Sequence, residues 1–168
     1  KLCLNLAKAE TTEEAITLLK ESGYWNSEDF WHPYGGNPNN ATIIYNQAGD
    51  SVRSLVEKLT NSQDQLLILE CLKRGIDPEG PEAPRSMKEA TEKFFKVPNG
   101  DLSNITGKER TKLANLIKLI ATGSTTNPNY IILDQGTGQS AITMPKTILS
   151  LISDNKRRIP FTQGVYNQ

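Results

Sequence analysis

The stretch SVRSLVEKLTNSQDQLLILECLKR, residues 51–74, predicts the long helix around which the rest of the chain is organised. Its apolar residues recur at helical spacing, and Gly75 stands where a left-handed residue would end the helix. Steps of four and then three residues stack Glu57, Asn61 and Asp64 over successive turns, bordering the apolar side. Two carboxylates and an amide at the edge of a buried face predict the wall of a pocket.

The length, charge and cysteine content of the chain restrict the class of protein to which it can belong. The 168 residues suffice for one domain, alone or with a short appendage. The 19 basic and 19 acidic side chains cancel, so charge gives no support to nucleic acid as a partner. No apolar run approaches the roughly 20 residues that cross a bilayer, so no membrane association is expected. Cys3 and Cys71 are too few for a disulfide framework or a zinc site, which favours the cytoplasm, and Cys71 is expected in the core.

Three capping boxes predict further helices, each a hydroxyl residue followed three positions later by glutamate. They open helices after Thr11, over residues 86–96 and over residues 107–122. Between the first helix and the central one lies an aromatic stretch, residues 24–34, which suits either a partner-binding surface or a loop pinned onto a core. Its His32, the single histidine, precedes a proline and has no evident partner for catalysis.

Two strands are predicted on either side of these helices. Residues 41–46, ATIIYN, alternate weakly between turn formers. Residues 130–133, YIIL, form a short apolar run of the buried-strand type that ends at Asp134. Two glycines follow in DQGTGQ, and glycine lets a ligand approach the backbone closely. A last helix is expected over residues 148–152, before the basic segment SDNKRRIP.

Each of these features also has an ordinary interpretation. An Asp-x-Gly-x-Gly sequence occurs at many turns, and the polar row on the central helix could be a solvated face. Lys156 and its two arginine neighbours would usually belong to a solvated loop. Their order along one chain favours a shared functional site: a polar helix row, then a strand running into glycines, then a lysine loop.

This combination resembles the Bergerat-fold ATPases, the superfamily of DNA gyrase B subunits, heat-shock chaperones, histidine kinases and MutL proteins. EKLTNSQD is similar to the N box of that family, and DQGTGQ is similar to its G1 box. The resemblance implies an α/β two-layer sandwich, with helices covering one face of a mixed, mostly antiparallel sheet. It spans residues 41–168 as the ATP-binding domain, with a helical insertion at about 76–123, and leaves residues 1–40 as an appendage.

The resemblance assigns roles to matching positions. Glu57 matches the glutamate that activates the attacking water, and Asn61 matches the asparagine that binds Mg²⁺ between the phosphates. Asp64 matches the polar residue one turn further along the pocket. Asp134 matches the aspartate that accepts a hydrogen bond from the adenine amino group. Gly136 and Gly138 match the glycines that make room for the base.

The C-terminal segment LSLISDNKRRIPFTQG resembles the lid of a bacterial branch of these ATPases. It implies that Lys156 reaches a phosphate and that Gln163 and Gly164 belong to the closing loop. The phosphate-binding Gly-Gly-Thr-Gly turn would follow Gln168, and the chain begins with Lys instead of Met. We therefore expect a piece of a longer protein. Gln65 departs from the family, which usually has alanine there.

The function that the resemblance implies is binding and slow hydrolysis of Mg·ATP in the intact protein, driving a conformational or dimerisation change with a second copy of the chain. The alternative is a sensor that binds ATP without turnover and works through the aromatic stretch. A histidine-kinase catalytic domain is the third option. It is the least favoured, because His32 lies in an irregular segment and not on a helix.

Overall fold

The structure is a computed structural model that describes residues 1–42, 51–144, 147 and 158–163. The helices and strands run in this order: α1 Leu2–Leu6, α2 Thr12–Glu21, α3 Ser51–Lys73, α4 Met87–Phe95, α5 Gly107–Ala114, β1 Ile117–Ser124 and β2 Asn127–Asp134. The two strands form an antiparallel hairpin. The described residues are therefore a mixed α/β structure, as the sequence predicts.

Helix α3 confirms the prediction from which the sequence analysis starts. It extends over Ser51–Lys73, and Gly75 follows with a φ of +69°, the left-handed conformation expected after a helix end. Its middle and C-terminal turns are the most deeply buried part of the helix, with Leu66, Leu67 and Cys71 in the core. The expected core position of Cys71 is thus confirmed.

All three predicted capping boxes start helices. In each, the hydroxyl oxygen at the N-cap accepts the backbone N–H three residues later, at 3.1 to 3.3 Å. The pairs are Thr11 with Glu14, Ser86 with Glu89, and Thr106 with Glu109. These contacts satisfy backbone amides of the first turn, which lack a partner within the helix. A hydroxyl residue followed three positions later by glutamate therefore locates the start of a helix correctly.

The helix predicted over residues 107–122 is wrong in its second half. Helix α5 ends at Ala114, and the chain re-emerges as strand β1, in which Ile120 pairs with Ile131 of β2. A short apolar run such as residues 116–121 fits either structure, and pairing with a distant strand decides between them. Gly123 lies within β1 with a φ of +78°.

The strand predicted at residues 130–133 is confirmed within β2, but its expected burial is wrong. Tyr130 is 57% exposed and Leu133 52% exposed, because among the described residues the hairpin has no third strand beside it. The strand predicted at 41–46 is wrong at its start, since Ala41 and Thr42 are helical after a turn in which the Asn37 side chain accepts the Asn39 N–H. Residues 43–46 and the helix predicted at 148–152 lie outside the described residues.

The core lies between α3, α4 and the short segment 158–163. Phe161 is fully buried there, and its ring meets that of Phe94 edge to face, with centroids 6.4 Å apart. Arg74 stacks 4.8 Å above the same Phe94 ring and donates a hydrogen bond to the Phe94 carbonyl oxygen. The segment 158–163 is thus an integral part of the packing around the central helix.

The aromatic residues of 24–34 pack on one another. The indole N–H of Trp31 donates to the Tyr24 carbonyl oxygen at 2.8 Å, and Trp31 meets Trp25 edge to face. Phe30 remains 61% exposed. The stretch is therefore a partly exposed aromatic cluster, which we call the aromatic surface.

Within the ranges 1–42, 51–144 and 158–163, none of the helices has both the length and the apolar character that a bilayer span requires.

The two cysteines provide a chemical test of this packing. The Cys71 thiol is fully buried, and its sulfur lies 3.6 Å from the Ile76 carbonyl oxygen. Burial raises the pKa of this thiol. Cys3, in contrast, is exposed. Since the thiolate is the reactive form, iodoacetamide at neutral pH should modify Cys3 readily and Cys71 at least about a thousandfold more slowly, through unfolding. Mass spectrometry of the two peptides measures both rates. Equal labelling rates for Cys3 and Cys71 in the folded protein would contradict the placement of Cys71 in the core. As a control, the two cysteines should be labelled equally in denaturant.

Candidate functional site

The turn after β2 lies directly against helix α3. The Asp134 carboxylate accepts a hydrogen bond at each oxygen: Oδ2 from the Ser62 hydroxyl at 2.9 Å, and Oδ1 from the Gly136 N–H at 2.9 Å. Ser62 directly follows Asn61 on the helix. The two motifs that the sequence analysis singles out, 72 residues apart, therefore meet in space.

Gly136 lies too close to helix α3 to carry a side chain. A Cβ atom added to Gly136 would lie 2.7 Å from Cβ of Gln65, a distance that real Cβ atoms essentially never show, and 3.3 Å from the Gln65 carbonyl carbon. The neighbouring Thr137 hydroxyl donates to the Gln65 side-chain oxygen. Gly136 therefore permits contact with the helix, while Gly138, with a φ of +67° and open space around it, shapes the turn.

The polar row of α3 becomes more buried toward its C-terminal end. Glu57 and Asn61 are half-buried, and Asp64 is fully buried. At 1.5 Å of rise per residue, Glu57 lies roughly 7 Å along the helix axis from Ser62 and its Asp134 contact. Asn61 directly precedes Ser62, which contacts the turn, and Glu57 lies about one helical turn before Asn61.

Asp64 holds the C-terminal segment in place. Its Oδ1 accepts the backbone N–H of Gln163 at 2.9 Å, and the nearby Phe161 side chain is buried in the core. A buried carboxylate is costly unless hydrogen-bonded, so this contact fixes the segment 158–163 against the helix. Lys156 and Gly164, both assigned to the lid from sequence, lie outside the described residues.

Sequence reasoning missed Ser62 and gave Gln65 no contact with the turn. Both lie on the side of α3 that faces the turn, because positions 62 and 65 are three residues apart on a helix. The available signal was a serine inside an apolar stripe, which a buried hydrogen bond would explain. The partner, Asp134, could not be identified from local spacing.

The side chains near the glycine turn provide only some of the ligands that a metal ion needs. In the described ranges, no group of three or more His, Cys, Asp or Glu side chains could hold a metal ion. Asn61 offers one neutral amide oxygen, a ligand type that Mg²⁺ accepts. This chemistry fits an ion that takes its remaining ligands from phosphate oxygens and water, and does not fit an ion held by protein alone.

Comparison with known proteins adds no family. No family model matches the sequence, and neither curated proteins nor solved structures give a significant match. The residues and contacts around Asp134 are therefore the basis for a proposed function.

Gly136 gives a sharp test of this geometry. Gly136→Ala forces a methyl group against Gln65 and should lower the free energy of unfolding by about 1–3 kcal/mol, as overpacking does. The control is Gly107→Ala at the first turn of α5, where the added Cβ has no neighbour within 4 Å. That variant should be neutral or slightly stabilising. Urea denaturation followed by circular dichroism measures both. Equal stabilities for the two variants would rule out the contact.

Proposed function

We propose that this chain is the nucleotide-binding part of a Bergerat-type ATPase, which binds Mg·ATP and, in the intact protein, hydrolyses it. The observation that carries the proposal is the hydrogen bond from Ser62 to Asp134, with Gly136 packed on Gln65. These contacts hold the carboxylate of the glycine turn against Ser62, the residue that follows Asn61. In this proposal the β1–β2 hairpin belongs to the larger sheet of the α/β two-layer sandwich.

Asp134 would select adenine. An ionised carboxylate only accepts hydrogen bonds, so it favours the amino group of adenine over the carbonyl oxygen that guanine presents. Asp134 is exposed, and each of its oxygens has one hydrogen bond and retains a free lone pair. The Ser62 hydroxyl and the Gly136 N–H keep the carboxylate oriented before the base arrives, which reduces the entropy lost on binding.

Glu57 would act as the general base. It is half-buried about one turn from Asn61, on the same side of α3. As water attacks the terminal phosphorus of ATP, the Glu57 carboxylate takes a proton, the bond to the bridging oxygen breaks, and ADP leaves. Mg²⁺ bound at Asn61 would neutralise charge on the phosphates.

The segment around Gln163 would serve as the base of the lid. Its backbone is tied to Asp64, so movement of residues beyond this point would begin from a fixed contact on α3. In the proposal Lys156 contacts a phosphate and Gly164 belongs to the loop that closes over the nucleotide. Closure would drive the conformational change or the association with a second copy.

The aromatic surface supports one alternative, an ATP sensor without turnover. Trp31 is 52% exposed and Phe30 61% exposed, and side chains of this type are enriched where proteins bind partners. Release of phosphate at saturating ATP separates the two functions. Sustained release favours the ATPase, and ATP binding with no release favours the sensor.

Two variants of the intact protein test the assigned roles. Asp134→Asn should weaken ATP binding about tenfold or more, because a hydrogen bond to a charged acceptor contributes roughly 1.5–3 kcal/mol. Glu57→Ala should retain ATP binding and lose at least about a hundredfold in hydrolysis rate. Calorimetric titration and a phosphate-release assay measure these effects.

Asp29→Asn is the matched control, since it makes the same chemical change at an exposed residue remote in sequence from both motifs. It should leave binding and hydrolysis unchanged. Unaltered ATP affinity in Asp134→Asn would refute the adenine role, and full turnover in Glu57→Ala would refute the base.

A further inference from the structure

A cavity lies on another side of helix α3 from the Ser62–Asp134 contact. It has a volume of about 750 Å³ and lies between α3, α4, α5 and the start of β1. Neither Glu57, Asn61 nor Asp134 lines it; Gln163 is the one lining residue from the segment 158–163. Its size falls within the roughly 300–1,000 Å³ typical of sites for small organic ligands.

Most of the cavity wall is apolar. Leu66 and Leu67 from α3, Phe95 from α4, and Leu113 from α5 supply much of it, and Ile117 continues it at the start of β1. A wall of this kind favours a ligand with a hydrocarbon or aromatic body, because burying apolar surface is the main source of affinity there.

The charged residues of the wall have one sign. Lys88 and Arg110 line the cavity, and none of the described residues lining it is acidic. Both lie against the same short segment, residues 99–102. The Lys88 stem stands 2.8 Å from where a Cβ of Gly100 would be, and Arg110 Nε donates to the Leu102 carbonyl oxygen at 3.2 Å. The cations are therefore at one end of the cavity.

Both cations retain capacity to bind a ligand. Within the described ranges, the Lys88 ammonium makes no hydrogen bond or ion pair, and Arg110 uses Nε and one Nη for backbone carbonyl oxygens. The neighbouring acid, Asp101, does not line the cavity. Its carboxylate accepts the Ser103 N–H at 2.8 Å. The hydrogen bonds from the backbone and the side chain of Ser103 are the main causes that lower the pKa of Asp101, and the charges of Arg110 and Lys88 lower it further. The charge of Asp101 therefore offsets one cation and leaves an excess of positive charge.

We propose that this cavity binds an amphipathic carboxylate of medium chain length, with the hydrocarbon chain against Leu66, Leu67 and Leu113 and the carboxylate between Lys88 and Arg110. The division of the wall into an apolar part and a cationic end matches the two parts of such a molecule. Among the described residues, the cavity shares with the proposed nucleotide site only Gln163, at the base of the lid, and includes neither Glu57, Asn61 nor Asp134.

Decanoate is the probe, titrated into the chain without nucleotide and followed by calorimetry and by amide chemical shifts. We expect saturable one-to-one binding, with the largest shifts at Leu113, Leu116 and Ile117. Decan-1-ol has the same chain without the charge and should bind at least about tenfold more weakly, since it loses a charge-assisted hydrogen bond. Absence of saturable decanoate binding, or equal binding of the alcohol, would overturn the proposal.

Lys88→Gln is the decisive variant, because it removes one cation and breaks no hydrogen bond among the described residues. It should weaken decanoate binding about tenfold and leave decan-1-ol binding unchanged. Lys112→Gln, on α5 but outside the cavity, is the matched control and should bind decanoate normally. Leu113→Trp should fill the cavity and abolish binding of both probes. Normal decanoate affinity in Lys88→Gln or in Leu113→Trp would place the ligand elsewhere and refute the site.

Discussion

The contact between Gly136 and Gln65 is the constraint on which the rest of the structure depends. Helix α3 and the turn after β2 can approach this closely only because position 136 has no side chain. The approach puts Asp134 within reach of the Ser62 hydroxyl, and that hydrogen bond, with the one from the Gly136 N–H, orients the carboxylate. The end of the hairpin that carries Asp134 is thereby fixed to the central helix at Ser62, the residue after Asn61.

Helix α3 carries three contacts because successive residues turn through about 100° around its axis. One side, with Ser62 and Gln65, holds the glycine turn. Asp64, on another, holds the Gln163 backbone, and Leu66 and Leu67 line the separate cavity. A ligand in the cavity and a nucleotide at the turn would contact the same rigid helix without sharing a residue of the polar row.

Features encoded by near neighbours could be predicted from the sequence. The starts of α2, α4 and α5 follow from hydroxyl and glutamate residues three positions apart, and the end of α3 follows from Gly75. Strand β1 could not be predicted, because its short apolar run is compatible with either a helix or a strand. Only its pairing with β2 makes it a strand. The roles of Ser62 and Gln65, and the whole cavity, depend on residues far apart in sequence, so no local pattern identifies them.

The most direct test of the account is a crystal structure of the intact protein with Mg²⁺ and a non-hydrolysable ATP analogue. We expect the adenine amino group about 2.7–3.2 Å from the Asp134 carboxylate, with the Asn61 amide oxygen among the ligands of the ion. A purine bound away from Asp134, or an ion with no contact to Asn61, would contradict it.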